Sequence, residues 1–190
     1  MKKERHRCWG LNGTDKLMEK YHDKEWGVPV HDDRHLFEII ILDGAQAGLS
    51  WRTILNKRVN YRKAFDNFEV KKVAKYGTKK IRELLRNEGI VRNRLKIASA
   101  VRNAKVFIGI QEEFGSFDTY IWGFVSGKPI KNKWKRMSDL PAHTGLSDTI
   151  SKDLKRRGMN FVGSTIIYAI LQTIGMVNDH EVKCFRYDKL

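Results

Sequence analysis

Leu84-Leu85-Arg86-Asn87-Glu88-Gly89-Ile90-Val91-Arg92-Asn93-Arg94 reads as the end of one helix, a tight turn at Gly89 and the start of a second helix. Backbone N–H groups at the start of the second helix, with Arg92, Arg94 and Lys96 beside them, make a phosphate-binding arrangement. Read without a ligand, Gly89 is an ordinary helix C-cap and the arginines are a solvated face.

The same helical signal extends outward in both directions. Thr78 can cap a short helix through Leu85, and Ile97, Val101, Ala104 and Ile108 recur at helical spacing beyond the turn, so the hairpin spans about 78–113. Upstream, Thr14 or Asp15 can cap a helix to about Lys24. Asp32 and Asp33 can cap the next, with Leu36, Phe37, Ile40 and Ile41 on one face and its end loosened by Gly44 and Gly48. Ser50 can cap a helix from Trp51, and Asn60 a further one carrying Tyr61, Ala64 and Phe65. Later helices are predicted over Ser116–Val125, Ser147–Arg157 and Ser164–Ile174. Lys128–Thr144 holds Pro129 and Pro141 and reads as a loop, the one place for a domain seam. No run of alternating strands is present. The predicted class is all-α, with residues 1–190 forming a single domain.

At 190 residues the chain is long enough to bury a sizeable core. Its 37 lysines and arginines against 22 acids give a net charge of +15, a field that favours DNA, RNA or an anionic membrane surface. A basic solvated surface without a partner is the bland alternative. The basic N-terminal residues have no apolar stretch behind them, and the longest apolar run, Thr165–Val177, contains Gln172 and is too short for a bilayer. A soluble, cytoplasmic protein without a membrane partner is expected. Two cysteines, Cys8 and Cys184, make no disulfide framework.

Cys8, His22, His180 and Cys184 are all zinc-ligand types. His180 and Cys184, four apart, face one way on a helix or tight turn, and Cys8 and His22 bracket the first helix. Together they give a closed Cys2His2 shell, which leaves no position for water and makes the zinc structural. Two free thiols with surface histidines, or a Cys8–Cys184 disulfide, are the alternatives, the latter disfavoured by intracellular reduction. His6, His31, His35 and His143 lack thiol neighbours at useful spacing.

Asp43 emerges directly from Ile39-Ile40-Ile41-Leu42, which marks it as a candidate buried carboxylate. Tyr21, Trp26 and Trp51 lie in segments dense in aromatic and polar groups and can line a flat pocket around it. Rings attract cations through their faces, and a desolvated carboxylate adds direct attraction, so the set suits a flat cation. The alternative puts both tryptophans in the core and makes Asp43 a helix-end acid.

Across nearly its whole length the sequence resembles the 3-methyladenine DNA glycosylase I family of the helix-hairpin-helix glycosylase superfamily. The resemblance rests on Tyr21-His22-Asp23-x-Glu25-Trp26-Gly27, Gln46-Ala47-Gly48-Leu49-Ser50-Trp51, Lys155-Arg156-Arg157-Gly158-x-x-Phe161-Val162-Gly163 and Val177-Asn178-Asp179-His180-x-x-x-Cys184, in that order. It implies one structural zinc per chain on Cys8, His22, His180 and Cys184, tying the terminal segments together. It implies that Trp51 stacks on an extruded base and that Tyr21 hydrogen-bonds it, with Trp9 and Trp26 completing the pocket wall. Leu49, beside Gly48, falls where the family fills the gap left by the flipped nucleotide, and Gly89–Arg94 matches its DNA-gripping hairpin. The chain departs from the family in having Asp43 where Glu is found, Trp9 directly after Cys8, and Met18 where an aromatic is frequent.

The function implied is hydrolysis of the N-glycosidic bond of 3-methyladenine in double-stranded DNA by a monomeric, bacterial-type, nucleoid-associated repair enzyme. An N3-alkylated purine is cationic and already a good leaving group, so a strong nucleophile is not required. No lysine is an evident Schiff-base nucleophile, and a monofunctional enzyme leaving an abasic site is expected. The alternatives are excision of another alkylated purine and a zinc-stapled DNA-binding module without catalysis.

Overall fold

The computed structural model describes residues 5–11, 13 and 15–190. Its helices are α1 (Lys16–Lys24), α2 (Asp33–Gln46), α3 (Trp51–Ala64), α4 (Val70–Val73), α5 (Thr78–Arg86), α6 (Arg94–Phe114), α7 (Phe117–Gly123), α8 (Gly145–Arg156) and α9 (Ser164–Thr173). Short polar side chains start most of them. Asp15, Asp32, Ser50, Asn93 and Ser116 each accept a hydrogen bond from a first-turn amide. The other cap considered for α1, Thr14, lies outside the described residues.

Some boundaries differ from expectation. Asn60 starts no helix; it lies exposed inside α3, which runs on through the buried Tyr61 and Ala64. Thr78 is the first helical residue of α5 rather than its cap, which is Gly77. Thr144 caps α8 through reciprocal bonds with Ser147, so that helix begins before Ser147.

Helix α2 is the axis of the fold. Every residue from Leu36 to Ala45 is buried, because α3, α6, α7 and α9 surround it. The expected one-sided stripe therefore understates its burial. Glu38 is tolerated in this setting because Arg58 and Arg62 donate to its Oε1 at 2.7 and 2.9 Å.

The segment 128–144 contains β1 (Ile130–Lys131), which pairs in parallel with β2 (Val177–Asn178) in the register Ile130↔Val177. The segment is also tied to the tail by side chains. Asn132 Nδ2 and Trp134 Nε1 each donate to Asp179 Oδ1 at 2.7 Å, and Val182 N donates to the Trp134 carbonyl at 2.9 Å. Tyr168 and Gln172 of α9 take the other oxygen of Asp179. One carboxylate thus joins the loop, α9 and the C-terminal tail.

Candidate functional site

The C-terminal tail and the N-terminal segment meet at a buried cluster. The ligand atoms of Cys8, His22, His180 and Cys184 lie within 4.8 Å of one another, and all four residues are buried. His180 Nδ1 is 3.5 Å from both sulfurs, and His22 Nε2 is 3.4 Å from Cys184 Sγ. A tetrahedral shell with metal–sulfur bonds of about 2.3 Å and metal–nitrogen bonds of about 2.0–2.1 Å has S···N edges of about 3.5 Å. The cluster has those edges. The outer nitrogens are also held: His22 Nδ1 pairs with Asp23 Oδ1 at 2.8 Å and His180 Nε2 with the Trp26 carbonyl at 3.2 Å. The Glu181 and Arg186 amides point at the two sulfurs, as suits thiolates. Two sulfurs and two imidazole nitrogens converging within 4.8 Å, each oriented from outside, make a donor set that can hold a metal ion.

The second constellation centres on α2. Asp43 is 3% exposed, and its Oδ2 has no hydrogen-bond partner. Burial raises its carboxyl to about 8, against a smaller opposing pull from Arg58. Trp51 Nε1 is likewise buried and unpartnered. Among the described residues only three buried side-chain atoms are in that state, and these are two of them. Buried polar atoms are rarely left without partners, so each of these two is free to bond a polar group of a ligand.

Adjacent residues of α2 serve two cavities. Asp43 lines one of about 260 Å³ with Gln46, Gly48, Leu49, Thr165 and Ala169. Leu42 lines another of about 290 Å³ with Tyr21, Trp51, Thr173, Glu25 and Arg58. Tyr21 and Trp51 are tilted neighbours at 5.4 Å between ring centroids, and the Tyr21 hydroxyl is 3.0 Å from Thr173 Oγ1. Burial, followed by the Asp43 charge, raises the Tyr21 phenol. Trp9 and Trp26 stand apart from Asp43: they pack on each other at 4.6 Å, and Trp26 lies 4.4 Å from the His180 ring. Neither lines the cavity at Asp43 or the one at Tyr21, so the two tryptophans expected in the pocket wall pack on the metal cluster instead.

The hairpin lies beside the end of α2. Its turn is clamped onto α3, with Lys57 Nζ donating to the Glu88 carbonyl at 2.8 Å and the Val91 amide to Tyr61 at 3.1 Å. Gly89 is required by this clamp, since a Cβ there would sit 2.9 Å from Asn60 Cβ. Arg92 and Arg94 are exposed. Two expectations change here. The amides of Leu95 and Lys96 are taken by the Asn93 side chain, so the start of α6 does not present them outward. Lys96 does not stand beside the arginines: its ammonium donates to the carbonyls of Ala45 and Ala47 at 2.8 and 2.6 Å. Leu49 lies two residues after Ala47 and is 41% exposed.

The sequence profile described as methyladenine glycosylase matches residues 9–187. The chain belongs to the methyladenine glycosylase family. It is 43% identical over 181 residues to DNA-3-methyladenine glycosylase 1 of Escherichia coli (strain K12), covering 95% of this chain and 96% of that one. A crystal structure of a 3-methyladenine DNA glycosylase I superposes with a TM-score of 0.91 at 43% identity, covering 95% of this chain and 98% of that one. The 3-methyladenine DNA glycosylase I of Staphylococcus aureus gives 0.92 at 32% identity, covering 97% and 98%.

Within this methyladenine glycosylase fold, sequence reasoning missed Arg58 and Thr173. Arg58 lines the Tyr21 cavity and ion-pairs there with Glu25 and Glu38. Its signal was weak, because one arginine among 37 basic residues has nothing to mark it as buried. Thr173 ends α9 and reaches Tyr21 across 152 positions of sequence, a contact no local pattern encodes.

Proposed function

We propose that this chain excises 3-methyladenine from double-stranded DNA, as a single-domain monomer that flips the damaged nucleotide and hydrolyses its glycosidic bond. The observation that carries this reading is the unpartnered, buried Asp43 carboxyl at the foot of the cavity whose mouth bears Leu49. A DNA-binding module has no use for such a group. A cationic purine gains directly from the carboxylate, and neutral adenine gains far less. In this reading Trp51 and Tyr21, which line the adjoining cavity beside Leu42, supply a face for stacking and a hydroxyl for the base edge. Water completes the displacement at the sugar, which leaves an abasic site. Incubating the protein with N-methylated duplex DNA and identifying every base released tests the reading. Release of 3-methyladenine supports it. Release only of another alkylated purine would mean that the shorter Asp43 side chain has reshaped the pocket, and no release would leave a binding module.

Cys8, His22, His180 and Cys184 would hold one zinc ion, whose contribution is to cross-link the N-terminal segment to the C-terminal tail. Asp23 and the Trp26 carbonyl orient its two imidazoles.

Arg92 and Arg94 grip phosphates in this reading. Their joint replacement by Ala should weaken duplex binding and lower the slope of log K against log salt by about 2. Titrations at several salt concentrations measure this, and an unchanged slope places the grip elsewhere. Gly48, at φ +77°, turns the chain so that Leu49 faces outward as a wedge. Flipping costs a few kcal/mol when the base is paired and stacked. Leu49→Ala should therefore slow excision from duplex about tenfold while leaving single-stranded substrate within about twofold. Equal losses on both substrates, or an unfolded variant, would assign Leu49 to the core.

A further inference from the structure

We propose that Lys96 is a positioning residue that couples the DNA-gripping hairpin to the Leu49 wedge; the proposal rests on the glycosylase reading above. Its ammonium donates to two carbonyls at the C-terminal end of α2, those of Ala45 at 2.8 Å and Ala47 at 2.6 Å. The last carbonyls of a helix have no partner within it, and a cation there also meets the negative end of the helix dipole. The third carbonyl of this turn, that of Gln46, accepts from the Leu49 amide at 2.6 Å. Three consecutive carbonyls are thus occupied, two of them by one side chain. That side chain belongs to another element: Lys96 stands in the first turn of α6, two residues after Arg94.

The consequence is mechanical. Phosphates held by Arg92 and Arg94 fix the start of α6 against the duplex. Lys96 passes that position to Ala47, and Gly48 at φ +77° then sets the direction in which Leu49 leaves the surface. Without the ammonium, Ala47, Gly48 and Leu49 would have to be ordered when the duplex is opened, at a cost in conformational entropy. The hairpin itself is separately clamped to α3 by Lys57 and Tyr61, so α6 remains anchored when Lys96 changes. Burial lowers the Lys96 ammonium from its ordinary value, as suits a group turned inward and away from solvent.

Lys96→Met keeps the length of the stem and removes the donor. The variant should bind undamaged duplex within about twofold of wild type, with the same salt slope, because no phosphate contact is lost. Single-turnover excision of 3-methyladenine from duplex should fall at least about tenfold, and from single-stranded DNA no more than about twofold. Amide hydrogen exchange over residues 45–50 should accelerate, with α6 unchanged. A salt slope reduced by about one would make Lys96 a phosphate contact and overturn the proposal. So would equal losses on duplex and single strand, or unchanged exchange over 45–50. If wild-type protein releases no 3-methyladenine, the glycosylase reading fails, while the exchange measurement still decides whether Lys96 holds the wedge turn. Lys96→Gln, which keeps one donor, serves in the same assays if the Met variant does not fold.

Discussion

Cys184→Ser is expected to lower the midpoint of thermal unfolding by on the order of 10 °C while the variant, assayed well below that midpoint, keeps its base specificity. Loss of a structural metal belongs to the mechanisms that cost about 3–5 kcal/mol, and in a chain of this size each kcal/mol is worth about 2–4 °C. The geometry explains why the effect falls on stability. The four donors come from the segment before α1, from α1 itself and from the tail after β2, so the metal cross-links chain ends 176 positions apart at Cys8 and Cys184. Neither sulfur lines the cavities at Asp43 or Tyr21. Elemental analysis should find about one zinc per chain in wild type. Chelation of wild type should reproduce the loss seen in the variant, since both remove the same cross-link. Metal-free wild type with an undiminished midpoint would show that the cluster is held by packing alone.

The fold was legible where a local rule acts. Short polar caps at Asp15, Asp32 and Ser50 and the apolar spacing of α6 follow from forces within a few residues, and the structure keeps them. Asn60 misled because it is a cap-forming residue type placed inside α3, where its side chain packs against Gly89 instead of a helix start. The β1–β2 pairing left no trace because two residues per strand are too few for alternation to be visible. At the site, Asp43 could be singled out by its position after an apolar run, and the ligand types of Cys8, His22, His180 and Cys184 could be seen. Their meeting could not, since it depends on the tertiary return of the tail. Lys96 shows the limit most sharply: a lysine beside two arginines reads as one basic face, yet its stem is long enough to turn inward and satisfy carbonyls on α2.

Asp43→Asn should lower excision of 3-methyladenine by about 100-fold, a loss of about 2.7 kcal/mol of transition-state stabilisation, with folding intact. The substitution keeps size and hydrogen-bonding capacity and removes only the ability to carry charge. A cation about 4 Å from a carboxylate gains about 4 kcal/mol at the effective dielectric of a partly buried site, enough to account for the loss. The pH dependence separates charge from shape. Burial raises the Asp43 carboxyl to about 8, so at pH 7 the free protein holds it mostly protonated. For wild type, kcat/KM should rise with pH and level off above about 8, because the free enzyme's ionised form receives the cation. The Asn variant should be flat over that range. Stability runs the opposite way. Near neutral pH the folded state binds a proton that the unfolded chain has already released. Wild type therefore loses stability as pH rises from about 4 to about 8, by at most about 1.4 kcal/mol per pH unit, and the Asn variant lacks that slope. Asp43→Glu adds the methylene found in the family. It retains activity if the surrounding pocket is the family's, and loses it if Thr165, Ala169 and Leu49 have closed around the shorter acid. Wild-type rates and a wild-type pH profile from the Asn variant would reduce Asp43 to a buried acid without a role in base recognition, and the cation reading of the pocket would fall with it.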